Sequence, residues 1–332
     1  MKQIFMSVML LLGGLISASA QQQELKYNKD GKFKIVQLTD LHFVYGDSRA
    51  DVTLERANEV LDAEKPDLVL YTGDIVSGKP AEEGLRAMLQ LSVDRKIPYG
   101  IMFGNHDDEQ GLTRGELFDI AKTMPYNLSD SVSGVHGACN YTLVIKSSDG
   151  QKILNVLYCM DSNAYCHVEG IGGYDYIHFD QVEWYRRCSK EFTKYNGGVP
   201  VPSLAFFHIP LPEYNQAVAD EKTYLIGTRR EKPCSPALNT GMFASMKEMG
   251  DVQAVFVGHD HDDDFAAYWK GILLTYGRYS GGQTSYFNLP EGNGARVIEL
   301  TEGAEGFKTW IRLKGGKIIN EINFPSDFKK KK

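Results

Sequence analysis

Cysteine is scarce in this chain, with five residues in 332 and no Cys-x-x-Cys pair. So few cysteines at such wide spacing exclude a dense disulfide framework and a thiolate zinc site. Because the number is odd, at least one thiol stays free or pairs with another chain. Cys159 lies inside the apolar run 153–160 and is expected to be a buried core residue.

An excess of positive charge is also missing. The 36 Lys and Arg residues are outnumbered by 43 Asp and Glu residues, and the formal net charge is −7. A protein that binds nucleic acid by neutralising phosphates shows the opposite balance, so no nucleic-acid-binding surface is expected. The basic run Lys329–Lys332 is interpreted as a solvated tail.

Beyond the first twenty residues, no apolar stretch is long enough to cross a bilayer. The start combines Lys2, an apolar run at 4–16 and the small residues at 18–20, which is the pattern of a secretory signal peptide cleaved after Ala20. A membrane anchor is the alternative, but the run is short for a span and no cysteine follows it as a lipid-attachment point. We therefore expect export to a periplasm or the extracellular space, with no membrane anchor after cleavage.

Apolar strand patterns and amphipathic helix patterns alternate after residue 32. Strand-like runs at 33–38, 68–71 and 98–103 are separated by helical patterns at 51–65 and 82–95. This alternation is typical of βαβ units in a parallel sheet that is buried on both faces. The other predicted elements are a hairpin at 140–158, helices at 113–124, 180–194 and 240–249, strands at 203–207 and 252–257, and short antiparallel strands at 265–269, 272–276, 295–300 and 308–313.

The chain shows no internal repeat and no break in composition that would separate domains. We predict a signal peptide at 1–20, a loose polar lead-in at 21–32, one domain at 33–325 and a polar basic tail at 326–332. The segment 209–239 is too long for a plain connector and is interpreted as a lid or binding loop.

Metal-ligating side chains follow the predicted strands where each strand ends. Ligand sites in open α/β sheets gather at these carboxyl ends. Taken singly, an Asp-x-His, a Gly-Asp or a lone histidine is more often structural. The strings at 104–107 and 258–261 are rarer, and each is more often functional. The candidates are Asp40, His42, Asp74, Asn105, His106, His208, His259 and His261.

Seven of these residues, all except His106, offer nitrogen or oxygen ligands suited to Zn, Mn or Fe. One ion cannot use all seven, but two divalent or mixed-valence ions that share Asp74 can, since Asp74 follows the middle one of the first three strands. Two ions about 3.5 to 4 Å apart clamp a phosphoryl group and generate a hydroxide nucleophile between them. His106 is then assigned as the general acid for the leaving group, with Asp107 as the residue that orients it.

The joint pattern resembles the motif set of the calcineurin-like metallophosphoesterase superfamily. The resemblance covers about residues 33–282, and the longer strings at 104–114, 207–213 and 257–265 are similar to the short-chain purple acid phosphatase-like group of plants and fungi. It implies an α/β (α+β) fold, a four-layer sandwich of two mixed β-sheets flanked by helices. It also implies one ion held by Asp40, His42, Asp74 and His261 and another held by Asp74, Asn105, His208 and His259.

This chain departs from the purple enzymes at two positions. Those enzymes carry a tyrosine shortly after the Gly-Asp motif and have Asp-x-Gly in the first motif, whereas this chain has Ile75-Val76-Ser77 and Asp40-Leu41-His42. A purple ferric site is therefore not expected, and the resemblance implies the metals of the general superfamily.

The sequence indicates the substrate contacts less specifically than the metal ligands. Arg278 and Tyr279 follow a strand beyond the 258–261 motif and are candidates to contact the substrate, with a surface turn as the alternative. The leading hypothesis is an exported two-metal phosphomonoesterase acting on a small phosphoester. A phosphodiesterase acting on nucleotides or lipid head groups and a non-catalytic metal- or phosphate-binding protein are the alternatives. The sequence leaves the oligomeric state open.

Overall fold

A computed structural model of the chain describes residues 24–329, so the predicted signal peptide at 1–20 lies outside the described residues. The helices are Asp51–Glu64 (α1), Ala81–Asp94 (α2), Arg114–Lys122 (α3), Phe179–Tyr195 (α4), Pro212–Ala219 (α5), Met242–Met249 (α6) and Ser326–Lys329 (α7), with short 3-10 helices at Ser48–Ala50, Asp107–Gln110 and Lys314–Gly316. The strands are Lys32–Leu38 (β1), Leu68–Thr72 (β2), Tyr99–Met102 (β3), Asn140–Lys146 (β4), Ile153–Met160 (β5), Ser203–Phe206 (β6), Leu225–Ile226 (β7), Val252–Val257 (β8), Ala266–Trp269 (β9), Ile272–Tyr276 (β10), Gly294–Thr301 (β11), Phe307–Leu313 (β12) and Ile318–Phe324 (β13).

The strands form two mixed sheets. The first has the order β13-β12-β11-β1-β2-β3, in which β1, β2 and β3 are parallel as predicted and β11 runs antiparallel to β1. The second has the order β4-β5-β6-β8-β10-β9-β7. Its strand β10 pairs parallel with β8, so the prediction that all the late strands are antiparallel is wrong for this strand.

Alternation along β8 shows how the layers are built. Ala254 and Phe256 belong to the core that the two sheets share, which extends through the first sheet to α1, α2 and α3. Val255 and Val257 point the other way, into a second core against α4, α5 and α6. Burying one such valine or phenylalanine side chain contributes about 1.5–3 kcal/mol. The predicted four-layer sandwich of two mixed sheets flanked by helices is confirmed.

The segment before β1 is not a loose lead-in over its described part. Leu25 and Tyr27 are buried, and the backbone of this segment pairs with Lys146 at the end of β4. Tyr27 also donates its hydroxyl hydrogen to Asn155 on β5. These hydrogen bonds and the burial of two side chains at alternate positions attach the segment to the sheet edge, although the surrounding composition is polar.

Two other elements differ from the predictions. The segment 209–239 contains α5 and the short strand β7, because Pro212 lies in the first turn of a helix, where its missing N–H costs nothing. The edge strand β13 was not predicted. All five cysteines lie within the described residues and are free thiols, and Cys159 is buried as expected. Among residues 24–329, the helices are too short or too polar to span a lipid bilayer.

Candidate metal centre

The candidate ligands lie where the two sheets meet at the carboxyl ends of their parallel strands. Asp40 and His42 follow β1, Asp74 follows β2, and Asn105 follows β3. From the facing sheet, His208 follows β6, and His259 and His261 follow β8. The sheets are tied together here, because the Gln37 side-chain amide donates to the carbonyl of Val257 at 3.1 Å.

Four of the ligands have left-handed backbone conformations that non-glycine residues rarely adopt. The φ angles are 53° at Asp40, 42° at His42, 50° at Asp74 and 80° at His259. Each such residue costs on the order of 1–3 kcal/mol, so the surrounding hydrogen bonds must hold it. The N–H of Asp40 donates to Gly73, and the N–H of His42 donates to Asp74. The left-handed conformation at these positions directs the ligand side chains into a common site.

Gly104 is required by a close approach. A Cβ atom at this position would lie 2.1 Å from Oδ1 of Asp74 and 2.4 Å from its backbone nitrogen. The turn after β3 therefore packs directly against the Asp74 carboxylate. This contact brings Asn105 beside Asp74 and lets the N–H of His106 donate to Oδ1 of Asp74 at 2.9 Å.

One group of ligand atoms is compact enough for a single ion. Asp40, His42, Asp74 and His261 are buried and offer four atoms that lie within 4.8 Å of one another. Nε2 of His42 lies 2.9 Å from Nε2 of His261 and 3.5 Å from Oδ2 of Asp74. Nε2 of His261 lies 3.6 Å from Oδ1 of Asp40. Carboxylate and imidazole ligands at this spacing suit Zn, Mn or Fe.

A second group is marked by missing hydrogen bonds. Oδ2 of Asp74, Oδ1 of Asn105, Nε2 of His208 and Nε2 of His259 are buried and have no hydrogen-bond partner. Oδ2 of Asp74 and Nε2 of His208 lie 3.2 Å apart and attract each other as an ion pair when His208 is protonated, but they are not aligned as a hydrogen bond. A buried polar atom without a partner costs about 1–3 kcal/mol, which a bound ion would offset. These residues therefore fit a second metal ion that shares Asp74 with the first.

The outer nitrogens of two histidines fix how the rings present their ligand atoms. Nδ1 of His208 lies 2.9 Å from the carbonyl oxygen of Thr72, and Nδ1 of His261 lies 2.8 Å from that of Tyr286. A carbonyl oxygen only accepts, so both Nδ1 atoms carry hydrogen and donate. In the neutral form of each ring, Nε2 then carries the lone pair that an ion needs, the arrangement that metal-binding histidines usually show.

Burial controls the charge of several ligands in the protein without ions. Burial lowers the pKa of His42 to about 3 and holds the pKa of His259 well below its ordinary value, so both imidazoles are neutral. The pKa of His208 is also lowered by burial, but the carboxylates of Asp74 and Asp40 outweigh this and raise it to about 9. Metal ions bind neutral imidazole, so an ion at His208 competes with a proton.

The structure separates His106 from its expected partner. The Asp107 carboxylate is fully buried and accepts hydrogen bonds from the N–H groups of Asp74, Ile75, Val76 and Gly104. The prediction that Asp107 orients His106 is therefore wrong, because its oxygens hold the backbone of the two metal-binding turns.

Glu109 is the carboxylate that contacts the His106 ring. Its Oε2 lies 2.7 Å from Nδ1 of His106, and both side chains are about two-fifths exposed. Burial lowers the pKa of His106, but the charges of Asp74 and Glu109 outweigh burial and raise the pKa above its ordinary value. His106 lies beside the ligands, with its ring centroid 5.5 Å from that of His42. The spacing of three residues within a 3-10 turn is the signal that would have identified Glu109.

Arg278 and Tyr279 are not placed to bind a substrate. Both are buried. The Arg278 guanidinium pairs with Asp264 and donates to the carbonyls of Pro290 and Gly292, so its donors are used inside the protein. The Tyr279 hydroxyl donates to Gly282. The expectation of substrate contacts is wrong for both residues because neither side chain reaches the surface.

Tyr279 nevertheless contributes to the metal centre through its ring. The ring centroid lies 4.9 Å from that of His261 and 6.3 Å from that of His42. Phe287 also stacks on the Tyr279 ring, with centroids 4.7 Å apart. Tyr279 therefore restricts the orientation of two ligand rings, a role that the sequence did not indicate.

Two further groups that the sequence did not reveal support the ligand turns. Arg114 begins α3 after a capping box formed by Thr113 and Glu116, and its guanidinium donates to the carbonyl of Gly104 at 2.7 Å. Arg114 also forms a partly buried ion pair with Asp161 at 3.1 Å. The second group consists of Asp260, Asp263 and Asp264, whose carboxylates accept backbone N–H groups at residues 228–234.

Comparison with known proteins agrees with this site and fold. Residues 33–263 match the family described as calcineurin-like phosphoesterase. The chain therefore belongs to the calcineurin-like phosphoesterase family, a class of hydrolases. A dimetal phosphatase from Danio rerio has a TM-score of 0.55 at 12% identity over 83% of this chain and 98% of that chain. This likeness shows the shared fold.

Similar sequences narrow the relationship to the purple acid phosphatase-like group. Probable inactive purple acid phosphatase 29 of Arabidopsis thaliana is 32% identical over an alignment that covers 93% of this chain and 90% of that protein. Phosphatase DCR2 of Saccharomyces cerevisiae is 34% identical, and the alignment covers 88% of this chain and 56% of that protein. The resemblance predicted from the motifs is confirmed.

Proposed function

We propose that this protein is a two-metal phosphoester hydrolase that acts on small phosphomonoesters. The observation that carries the proposal is the pair of ligand groups around Asp74. One group has four ligand atoms within 4.8 Å, and the other has four buried ligand atoms that lack any hydrogen-bond partner. A purely structural histidine and carboxylate cluster of this size would satisfy its own buried atoms.

Two sets of residues would hold the two ions. Asp40, His42 and His261 would hold one, Asn105, His208 and His259 would hold the other, and Asp74 would be shared. When bound, the ions supply Lewis-acid chemistry, which polarises a phosphoryl oxygen and activates water at neutral pH. Mn, Zn and Fe all suit these ligands.

His106 is the proposed general acid for the leaving alcohol. Its ring lies beside the His42 ring and is partly open to solvent, so a substrate oxygen can reach it. Glu109 accepts the hydrogen on Nδ1, which leaves Nε2 to give a proton to the leaving oxygen. Protonation is needed most for alkyl alcohols, because an alkoxide is a poor leaving group.

A non-catalytic metal- or phosphate-binding protein is the second candidate. It is favoured by the name of the Arabidopsis relative, which describes that protein as probably inactive. In this chain, however, the ligand set is complete, and the partly exposed His106 lies next to it. A binding protein has no need of a proton donor at this place, so we favour hydrolysis.

We also propose that the protein is exported. The basis is the signal-peptide pattern at 1–20, which lies outside the described residues. Expression of the full chain in a bacterial host, followed by fractionation and mass measurement of the mature N-terminus, tests this. Cleavage after Ala20 is expected, and recovery of the uncleaved chain in the cytoplasm would contradict it.

Hydrolysis rates on two related substrates test the reaction class. Metal-loaded protein is expected to hydrolyse p-nitrophenyl phosphate faster than bis-p-nitrophenyl phosphate. The opposite order would indicate a phosphodiesterase, which was the other alternative. Loss of turnover in Asp74→Ala, with the fold retained, is required by the proposal. Bound metal and bound phosphate without turnover on either ester would instead support the binding protein.

A further inference from the structure

A chain of hydrogen bonds connects the proposed general acid to a metal ligand. Nδ1 of His106 contacts Oε2 of Glu109 at 2.7 Å. The hydroxyl of Tyr165 donates to the other oxygen of Glu109 at 2.8 Å. Nδ2 of Asn105 donates to the hydroxyl oxygen of Tyr165 at 3.3 Å. Donors and acceptors alternate along the chain, so all three bonds form together.

Tyr165 comes from a distant segment that folds over the ligands. Tyr165 and Tyr174 form an antiparallel bridge, and the N–H of Cys166 donates to Gly173, which closes residues 165–174 into a flap. At the base of this flap, the Tyr174 ring meets the His259 ring edge-on, with centroids 4.2 Å apart. The flap thus contacts two residues of the second ligand group, Asn105 and His259.

We propose that Glu109 and Tyr165 are positioning residues that set the His106 ring and the Asn105 amide together. The inference rests on the proposed function, because it concerns how the same site transfers a proton. Glu109 holds the hydrogen on Nδ1 and so directs Nε2 of His106 toward the leaving group. Tyr165 fixes the second oxygen of Glu109 and thereby limits rotation of the carboxylate.

The same tyrosine determines which atom Asn105 offers to an ion. Because Nδ2 of Asn105 donates to Tyr165, the amide oxygen Oδ1 is turned away from it, and Oδ1 is the buried atom without a partner. Without Tyr165, the two orientations of the amide become closer in energy. Tyr165 therefore connects the orientation of a metal ligand to that of the general acid.

A purely structural role does not account for the pair of His106 and Glu109. Both side chains are about 40% exposed, and exposed ion pairs contribute little to stability. If the pair acts on catalysis, the effect of removing Glu109 must depend on His106 and on the leaving group. If the pair only stabilises the turn, removal must affect every substrate and every background alike.

Leaving-group dependence is the first measurement. We compare p-nitrophenyl phosphate, whose phenolate leaves without a proton, with β-glycerophosphate, whose alkoxide needs one. Glu109→Ala is expected to lower kcat on β-glycerophosphate by about 10–100-fold and on p-nitrophenyl phosphate by only a few-fold, within the range of general acid catalysis. Glu109→Gln keeps an acceptor oxygen and is expected to recover part of the loss. Equal losses on both substrates would overturn the proposal.

A double-mutant cycle is the second measurement. In a His106→Ala background, Glu109→Ala is expected to cause no further loss on β-glycerophosphate, because Glu109 acts through the ring that is already gone. Additive losses would show that Glu109 acts independently of His106. Asp108→Ala is the matched control: it removes a neighbouring carboxylate that pairs with Arg114 at 3.5 Å and not with His106, so it should leave the ratio of the two rates unchanged.

Metal content gives a readout that does not depend on turnover. Tyr165→Phe is expected to weaken binding of the second ion by about 10–100-fold, as loss of a partner that orients a ligand usually does. Unchanged affinity in Tyr165→Phe would overturn the role assigned to Tyr165. An inactive wild-type protein with both ions bound would contradict the proposed function itself, whereas an active wild type with additive variants would contradict only this inference.

Discussion

Oδ2 of Asp74 lies 3.2 Å from Nε2 of His208, and neither atom has a hydrogen-bond partner. The two residues come from different sheets, Asp74 after β2 and His208 after β6. Their approach brings a buried carboxylate and a buried imidazole together at the centre of the site. A shared ion explains this arrangement, because it would satisfy both atoms at once.

Removing ligands one at a time should change the number of bound ions in a defined order. His208→Ala is expected to reduce the content from two ions per chain to about one, because His208 belongs to the second group only. Asp74→Ala is expected to reduce it further, since both groups include Asp74. Equilibrium dialysis with Zn or Mn, followed by elemental analysis, measures this. Equal metal contents in the two variants would argue against a shared carboxylate.

Gly104→Ala should disrupt the site without removing any ligand. The new Cβ atom would lie 2.1 Å from Oδ1 of Asp74, so the turn or the carboxylate must shift. A shift on the order of 1 Å in a ligand of this kind is expected to lower activity by roughly 100-fold. Gly115→Ala is the control, because its nearest neighbouring atom would be 4.0 Å away. Steady-state kinetics on p-nitrophenyl phosphate compares the two, and equal rates would contradict the packing described here.

Arg278→Ala should affect stability rather than substrate binding. The substitution leaves Asp264 buried without its ion-pair partner, which costs about 3–5 kcal/mol in comparable cases. The melting temperature is expected to fall markedly, while KM of the folded fraction stays unchanged. Arg86→Ala removes an exposed pair with Glu82 and should change stability by less than about 1 kcal/mol. A raised KM with normal stability in Arg278→Ala would restore the substrate contact.

The pH profile should depend on Glu109. A general acid works only when protonated, so kcat on an alkyl phosphate falls as the pH rises through the pKa of His106. Burial lowers that pKa, and Asp74 and Glu109 raise it above its ordinary value. Glu109→Gln removes a negative charge beside the ring, so the alkaline limb is expected to move to lower pH. A limb that stays in place would show that His106 is not the group that titrates.

Much of the fold follows from local patterns in the sequence. The apolar runs of β1, β2 and β3 and the amphipathic faces of α1 and α2 predict a buried parallel sheet, because each strand must bury both faces. The strand β13 was missed because residues 318–321 are exposed or half-buried and carry no regular alternation. Its pairing is set by β12, and such a tertiary contact leaves little trace in the edge strand itself.

The ligand set of the site could be predicted from the sequence for a similar reason. Residues that follow parallel strands collect at one edge, so strand order alone brings Asp40, Asp74 and Asn105 together. The hydrogen-bond partners of the site residues could not be predicted from the sequence. Glu109 reaches His106 only because a 3-10 turn follows Asn105, and Tyr165 reaches Glu109 across 56 residues of chain.

The wrong predictions of residue roles concern mainly charged side chains that are buried in the fold. A strand end followed by Arg278 looks like a surface turn or a phosphate contact, and nothing local shows that Asp264 and two carbonyls enclose the guanidinium. In the same way, Asp107 stands next to His106 in sequence, but its carboxylate is directed at backbone N–H groups. Adjacent residues in a turn often point in different directions, so sequence proximity did not predict contact.

We propose that two ions, both bound by Asp74, make this chain a phosphomonoester hydrolase. The most direct test loads the purified mature protein with Mn or Zn, counts the bound ions, and measures hydrolysis of p-nitrophenyl phosphate in the same samples. We predict two ions per chain, turnover that rises with occupancy of the second ion, and loss of both the ions and the turnover in Asp74→Ala. Two bound ions with no hydrolysis of any phosphoester, or hydrolysis that persists in Asp74→Ala, would contradict the account.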